Sequence, residues 1–408
     1  MQKPLPQMKT KHLLVILLLI FISVNAKSQK IVQLAKNGTV LQSNYSSKIP
    51  FRYEKKHIFI DVTINGNTYN FLFDTGFDIS AIDLNYLQSI DYKKVIKKKV
   101  SGSSFKKHKV QFIEISTLSI SDIDFNKTGA SIIDLSFINN DYPCSEKPIA
   151  GVIGANLLRK ANWQIDYENK TILFSDDFSK FNISAKAFKF DLISKSWGSP
   201  LVNVKINGID KKFTLDTGSS GKITSGTEFK KELNSDSNEV KYLSIIKKNR
   251  AGNEQTYTNY YALVEQINIG NLYLQEEIIS LEKGVSSLIG NELFENFKIS
   301  IDWKNNLFLL DPIGEINKEK KTYYEILLKP NYTTNKIEIN GFFDNSSLNE
   351  KKYKVGTGIL TINGINVSDF STQMLCEFWR NKWREIKKQE NILIETEKEI
   401  IELVKIDF

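Results

Sequence analysis

The triplet Asp-Thr-Gly occurs twice in this chain, at Asp74-Thr75-Gly76 and Asp216-Thr217-Gly218, 142 residues apart. An apolar run leads into each copy, Phe71-Leu72-Phe73 into the first and Phe213-Thr214-Leu215 into the second. The likeness extends well beyond the triplets. Upstream, the stretch from Ile58 to Gly66 matches that from Pro200 to Gly208: alternating strand residues that end in an Asn-Gly turn. Downstream, Gly151-Val152-Ile153-Gly154 matches Ser287-Leu288-Ile289-Gly290, the final Gly falling 80 residues after Asp74 and 74 after Asp216. A strand pair of one design follows each, Trp163 to Phe174 and Ile299 to Leu310. Landmarks repeated in one order predict a duplicated pair of β-rich lobes that brings the two carboxylates together on a pseudo-two-fold axis.

Little else in the sequence offers chemistry. There are three histidines (His12, His57, His108), two cysteines (Cys144, Cys376), no His-Glu-x-x-His, no Cys/His cluster and no Gly-x-Ser-x-Gly. No metal and no cofactor is expected, so the reaction must run on carboxylates. Two carboxyl groups a few ångströms apart cannot both ionise and hold one proton between them. The charged one can take a proton from water while the protonated one polarises a carbonyl. Gly76 and Gly218 allow a tight backbone turn beside each Asp. Thr75 and Thr217 are short hydroxyl residues suited to bonding across the axis, and a buried charged pair needs such donors.

On these residues the chain resembles the retropepsin-like and pepsin-like aspartic proteases, with both lobes in one polypeptide, over roughly residues 50 to 312. The resemblance implies a mainly β, duplicated two-lobe fold that hydrolyses peptide bonds in the cleft between the lobes. It makes Asp74 and Asp216 the catalytic pair and Thr75, Gly76, Thr217, Gly218 and Ser219 the supporting loop residues. The family's hairpin flaps would have their tips near Ser101-Gly102-Ser103 and Ala251-Gly252-Asn253, which makes Gly102 and Gly252 candidate substrate-binding positions. One departure stands out. Ser, Thr or Ala usually follows the triplet; Ser219 obeys, but lobe one has Phe77, which lacks the hydroxyl and needs a pocket close to the pair. Asp78 beside it adds a charge. The alternative from another class is a non-catalytic peptide-binding or scaffolding protein that uses the same cleft.

The ends of the chain carry further expectations. Lys9 and Lys11 precede an apolar run from Leu13 to Val24, and Val24-Asn25-Ala26 suits a cleavage site, so residues 1–26 read as a signal peptide. An uncleaved anchor is the alternative. Export to the periplasm, cell surface or medium follows, with no membrane span once the signal is removed, and 27–47 is open to reading as a short propeptide. Loss of Lys3, Lys9 and Lys11 brings the formal charge from +8 to about +5. The short Lys runs read as solvated faces and not as a nucleic-acid footprint. Lobe one is assigned to 27–185, lobe two to 186–312 and a charged linker to 313–321.

Residues 322–408 form a separate small α+β unit. Val355-Gly356-Thr357-Gly358-Ile359-Leu360-Thr361-Ile362-Asn363-Gly364 resembles a bacterial PDZ domain, although Thr357 stands where Asp is usual and Pro330-Asn331-Tyr332 where the family has a Gly-rich loop. The resemblance implies either docking on the protease lobes or a peptide ligand added as a strand beside Lys336-Ile337-Glu338-Ile339 and against a helix over 371–388. Core packing is expected of Trp379 and Trp383, groove lining being the alternative. A Cys144–Cys376 bridge is possible but has no support from spacing. The expected partners are a peptide or protein substrate and a peptide ligand of the PDZ-like unit, and the protein is expected to be monomeric.

Overall fold

The structure, a computed structural model, describes residues 29–101, 107–193, 197–234, 240–248, 256–314, 322–344, 346, 348 and 353–408. The leader at 1–26, both flap tips (Gly102 and Gly252) and linker residues 315–321 lie outside the described residues. Among those described, no helix is long and apolar enough to cross a membrane.

The molecule is mainly β, and the two copies of the sequence repeat fold alike. In the first, His57–Ile64 and Asn67–Phe73 form a hairpin whose turn residues, Asn65 (φ 51°) and Gly66 (φ 77°), both take positive φ. Asn207 (φ 47°) and Gly208 (φ 87°) do the same between Leu201–Ile206 and Ile209–Leu215. This backbone matches the right-handed twist of paired strands, and Asn-Gly is the pair that adopts it at least cost. The second strand of each hairpin then runs parallel to the downstream apolar segment. Phe73 lies opposite Ile153 in one copy and Leu215 opposite Ile289 in the other.

A six-stranded sheet joins the copies, in the order Phe188–Asp191, Leu307–Pro312, Phe297–Asp302, Asn162–Asp166, Thr171–Ser175 and Ser46–Pro50. Its centre is the pairing of Gln164 with Ser300, whose side chains are hydrogen-bonded at 2.9 Å. Trp163 stacks on Phe174 with ring centroids 4.8 Å apart, and both are fully buried. Burying side chains of this size contributes about 1.5–3 kcal/mol each. Residues 29–36 are helical and set Ile31, Leu34 and Ala35 against Ile79, Val110 and Phe112. With Ser46–Pro50 in the sheet, the stretch open to reading as a propeptide is built into the first lobe from residue 29 onward.

The segment from Thr322 has its own core, in which Ile337, Ile339, Leu375, Phe378, Ile392 and Leu403 meet. It is nevertheless joined to both lobes. Lys336–Phe343 continues the sheet of the second lobe, with Phe343 opposite Ile245. Cys376 is disulfide-bonded to Cys144 of the first lobe across a Cα–Cα distance of 5.9 Å. That bridge is the possibility that spacing left open: 232 residues separate the cysteines, so only the docked fold makes them neighbours.

A correction concerns the strand proposed to receive a peptide. Ile326–Asn331 covers one edge of Lys336–Phe343. The other edge is taken by residues 356–359, through Ile339 N to Thr357 O (2.9 Å) and Ile359 N to Ile337 O (2.8 Å), and then by Lys241–Lys248. Among the described residues both edges of this strand are thus paired, which leaves it poorly placed to receive an added strand.

Candidate active site

Each Asp sits at the mouth of a loop whose backbone bonds repeat almost atom for atom. Asp74 N donates to Ile153 O (3.0 Å) and Asp216 N to Ile289 O (2.8 Å). Phe77 O accepts from Ala155 N and Ser219 O from Asn291 N, both at 2.8 Å. The Gly after each downstream apolar pair therefore opens a one-turn helix, Ala155–Leu158 or Asn291–Phe294, that anchors the residue following the triplet.

Across the axis the two loops hold each other. Thr75 N donates to Thr217 Oγ1 and Thr217 N to Thr75 Oγ1, both at 3.0 Å. Thr75 Oγ1 donates to Leu215 O (2.7 Å) and Thr217 Oγ1 to Phe73 O (2.9 Å). All four bonds cross between the lobes, and both Thr residues are buried. A Cβ on Gly76 would fall inside the Asp216 carboxylate, and one on Gly218 inside that of Asp74. Only Gly permits this crossed approach. Asp74, Thr75, Gly76, Asp216, Thr217, Gly218 and Ser219 are thus brought together, whereas Gly102 and Gly252 lie outside the described residues. The hairpins below those two tips are present, Tyr92–Ser101 with Lys107–Ile120 and Lys241–Lys248 with Thr256–Ile269.

The electrostatics of the pair are unequal. Burial and then the charge of Asp216 raise Asp74 well above the ordinary carboxylate range, against backbone N–H groups of Gly76 and Phe77. Burial also raises Asp216, but its bonds to Asp74 and to the N–H groups of Gly218, Gly76 and Ser219 work the other way. Gly218 N lies 2.8 Å from Asp216 Oδ1. Asp74 Oδ1 is buried and has no hydrogen-bond partner among the described residues. With both carboxyls raised by burial and set against each other, the pair holds one proton between them.

Phe77 takes its place without displacing the loop. Its ring is half-buried against a cluster that includes Phe59, Leu72, Tyr142 and Val152. Its backbone N–H still stabilises the Asp74 carboxylate, as that of Ser219 does for Asp216. Asp78 turns away to accept from Ser199 N and Oγ, both at 2.9 Å.

Three sets of residues were missed from the sequence. His57 Nε2 lies 3.0 Å from Gly218 O and its Nδ1 lies 2.6 Å from Tyr142 Oη. The signal was available: His57 immediately precedes the repeat, at the position that Ser199 occupies in the second copy. Asn156, two residues after Gly154, and Asn291, directly after Gly290, brace Ser80 and Thr217 O respectively. Trp379, Arg380, Trp383, Arg384 and Lys387 of the C-terminal segment line the same cleft of about 2620 Å³ as Phe77 and Ser219. The two Trp side chains also pack against their own core, the role expected of them, and the groove they line is this cleft and not one beside Lys336–Ile339.

A mainly β fold with two carboxylates crossed at the junction of its repeats is an aspartic-protease-like fold. Residues 60–157, which include Asp74, match the family described as Aspartyl protease. No curated protein matches the chain.

Proposed function

We propose that this protein is an exported aspartic endopeptidase, acting as a monomer on an extended stretch of a protein or peptide substrate. The observation that carries the reading is the crossed pair itself: Asp74 and Asp216, locked by reciprocal Thr75 and Thr217 bonds, with a Gly from each lobe against the other's carboxylate. Water held between the carboxyl groups loses a proton to the ionised member of the pair as it attacks the scissile carbonyl. The protonated member of the pair donates a hydrogen bond to the carbonyl oxygen, where negative charge develops. Proton return to the leaving nitrogen then breaks the C–N bond and restores the singly protonated pair.

Export is supported by the charged and apolar leader and by a disulfide that requires an oxidising compartment. The C-terminal segment reads as a PDZ-like unit docked on the lobes, not as a receptor for free C-termini. The test is cleavage of a complex peptide library by residues 27–408 from acid to neutral pH, beside Asp74→Asn and Asp216→Asn. Cleavage by the wild type that is lost in both variants supports the reading. A folded wild type that cuts nothing at any pH overturns it.

A further inference from the structure

The helix that closes one side of the cleft belongs to neither lobe. It runs as α-helix over Thr372–Glu377, widens to a π-helical turn over Phe378–Lys382 and returns to α-helix over Trp383–Ile386. Such turns are uncommon and occur often at functional sites. Here the turn carries Trp379 and Arg380, both of which line the cleft. Trp379 stacks on Trp383 with centroids 4.9 Å apart and planes 14° from parallel, and both indoles are half-buried. A flat aromatic surface is therefore presented to the cleft and held rigid from behind.

The wall is fixed in place at several points. Cys376 is bonded to Cys144, and Arg380 Nη2 bonds Glu54 Oε1 and Cys144 O, both at 3.3 Å. Arg380 is committed to those partners. Arg384 and Lys387 are exposed, line the cleft, and have no ion-pair partner among the described residues. Lys56, from the turn of the first lobe, lines the cleft as well and is paired with Glu295. Desolvation and the like charges of Arg384, Lys56 and Lys388 lower Lys387 below the ordinary lysine range, with Glu292 opposing them. These cations repel one another across the cleft wall, and a ligand carboxylate would relieve that repulsion.

We propose that this wall is a substrate subsite for an acidic stretch of polypeptide flanking the bond that is cut. Aromatic faces support an extended chain while Arg384 and Lys387 pair with its Asp or Glu side chains. The inference rests on the reading of the cleft as a peptide site but not on cleavage, so the two can fail separately. The C-terminal unit thereby supplies specificity to a site whose reacting groups come from the two lobes.

The test uses full-length mature chain carrying Asp216→Asn and fluorescent peptides of one common core, extended on either side by acidic, neutral or basic residues. The expected result is about tenfold tighter binding of an acidic form than of the neutral form at low salt, shrinking at about 0.5 M salt. In Arg384→Gln/Lys387→Gln on the same background, two surface changes that leave the core intact, the acidic and neutral forms should bind within about twofold of each other. Equal binding of acidic and neutral peptides before those changes, or a preference that survives them, overturns the proposal. If acidic peptides are preferred in this way while the wild type cuts no peptide, the subsite stands and the protease reading falls.

Discussion

His57 reaches across the lobe boundary to place its Nε2 3.0 Å from the carbonyl oxygen of Gly218. A carbonyl only accepts, so Nε2 carries the ring proton and Nδ1 is left to accept from Tyr142 Oη at 2.6 Å. The chain Tyr142–His57–Gly218 thereby fixes the loop whose N–H holds the Asp216 carboxylate. His57→Ala should lower kcat about fivefold with little change in KM, since one hydrogen bond of this kind is worth roughly 1 kcal/mol. His57→Gln, which retains an N–H donor, should recover part of the loss. A parallel fall of both variants through KM alone would show that the residue acts on substrate binding and not on the loop.

Burial and the neighbouring Asp216 raise the Asp74 carboxyl on folding, so ionising it costs the folded state. Its pKa is raised on folding, so the folded protein binds the proton more tightly than the unfolded chain does. Stability from this group is present below the unfolded carboxylate range and is lost as pH rises toward the folded value. Asp74→Asn removes the penalty for ionising. It should raise Tm by roughly 2 °C or more at neutral pH and leave it nearly unchanged near pH 3, while abolishing cleavage. Thermal scans at the two pH values check the sign.

Phe77→Ser tests what the departure from the family pattern does. The residue's contribution to Asp74 comes through its backbone N–H, which Ser retains, so cleavage should stay within about threefold of wild type. The ring is half-buried against Phe59 and Tyr142, so stability should fall by about 1–2 kcal/mol in urea unfolding. Activity rising by orders of magnitude would mean that the ring itself obstructs the site.

These residues mark how far the sequence could be read. The Asp loops were legible because their geometry is local and stated twice: an Asn-Gly turn, a strand into Asp-Thr-Gly and an apolar pair before Gly. Crossing of Gly76 and Gly218 over opposite carboxylates follows once the two copies are superposed on an axis. Contacts made once, between segments far apart, leave no such trace. Nothing in Cys144 or Cys376 announces a bond across 232 residues, and nothing in Lys336–Phe343 shows that its free edge would pair with Lys241–Lys248. For the same reason Trp379 and Trp383 could be placed on one helix face but not in the cleft.

Thr217→Val measures the reciprocal lock. The change removes the donor to Phe73 O and orphans Thr75 N–H at a buried site. An unsatisfied buried donor and a lost bond together should cost about 2–4 kcal/mol, and Thr217→Ser should restore most of it. Chemical denaturation of the three proteins decides the matter. Equal stability of the Val and Ser forms would mean that the crossed bonds contribute little.

The Cys144–Cys376 bridge ties the helix wall to the first lobe, while strand pairing at Phe343 ties the same unit to the second. Cys376→Ser leaves that strand pairing and the Arg380 contact with Glu54 in place, so the unit should remain docked but with one anchor fewer. Constraint of the unfolded chain alone makes the bridge worth about 2–4 kcal/mol, and Tm should fall accordingly. Loosening of the wall should act more narrowly. Trp379 and Arg384 lose their fixed distance from the Asp loops, so a long substrate that spans both should be cut less efficiently. A short one confined to the loops should be cut as before. The ratio of kcat/KM for long and short peptides, measured for wild type under oxidising and reducing conditions and for Cys376→Ser, reads this directly. A ratio indifferent to the bridge would place the helix outside the path of the substrate.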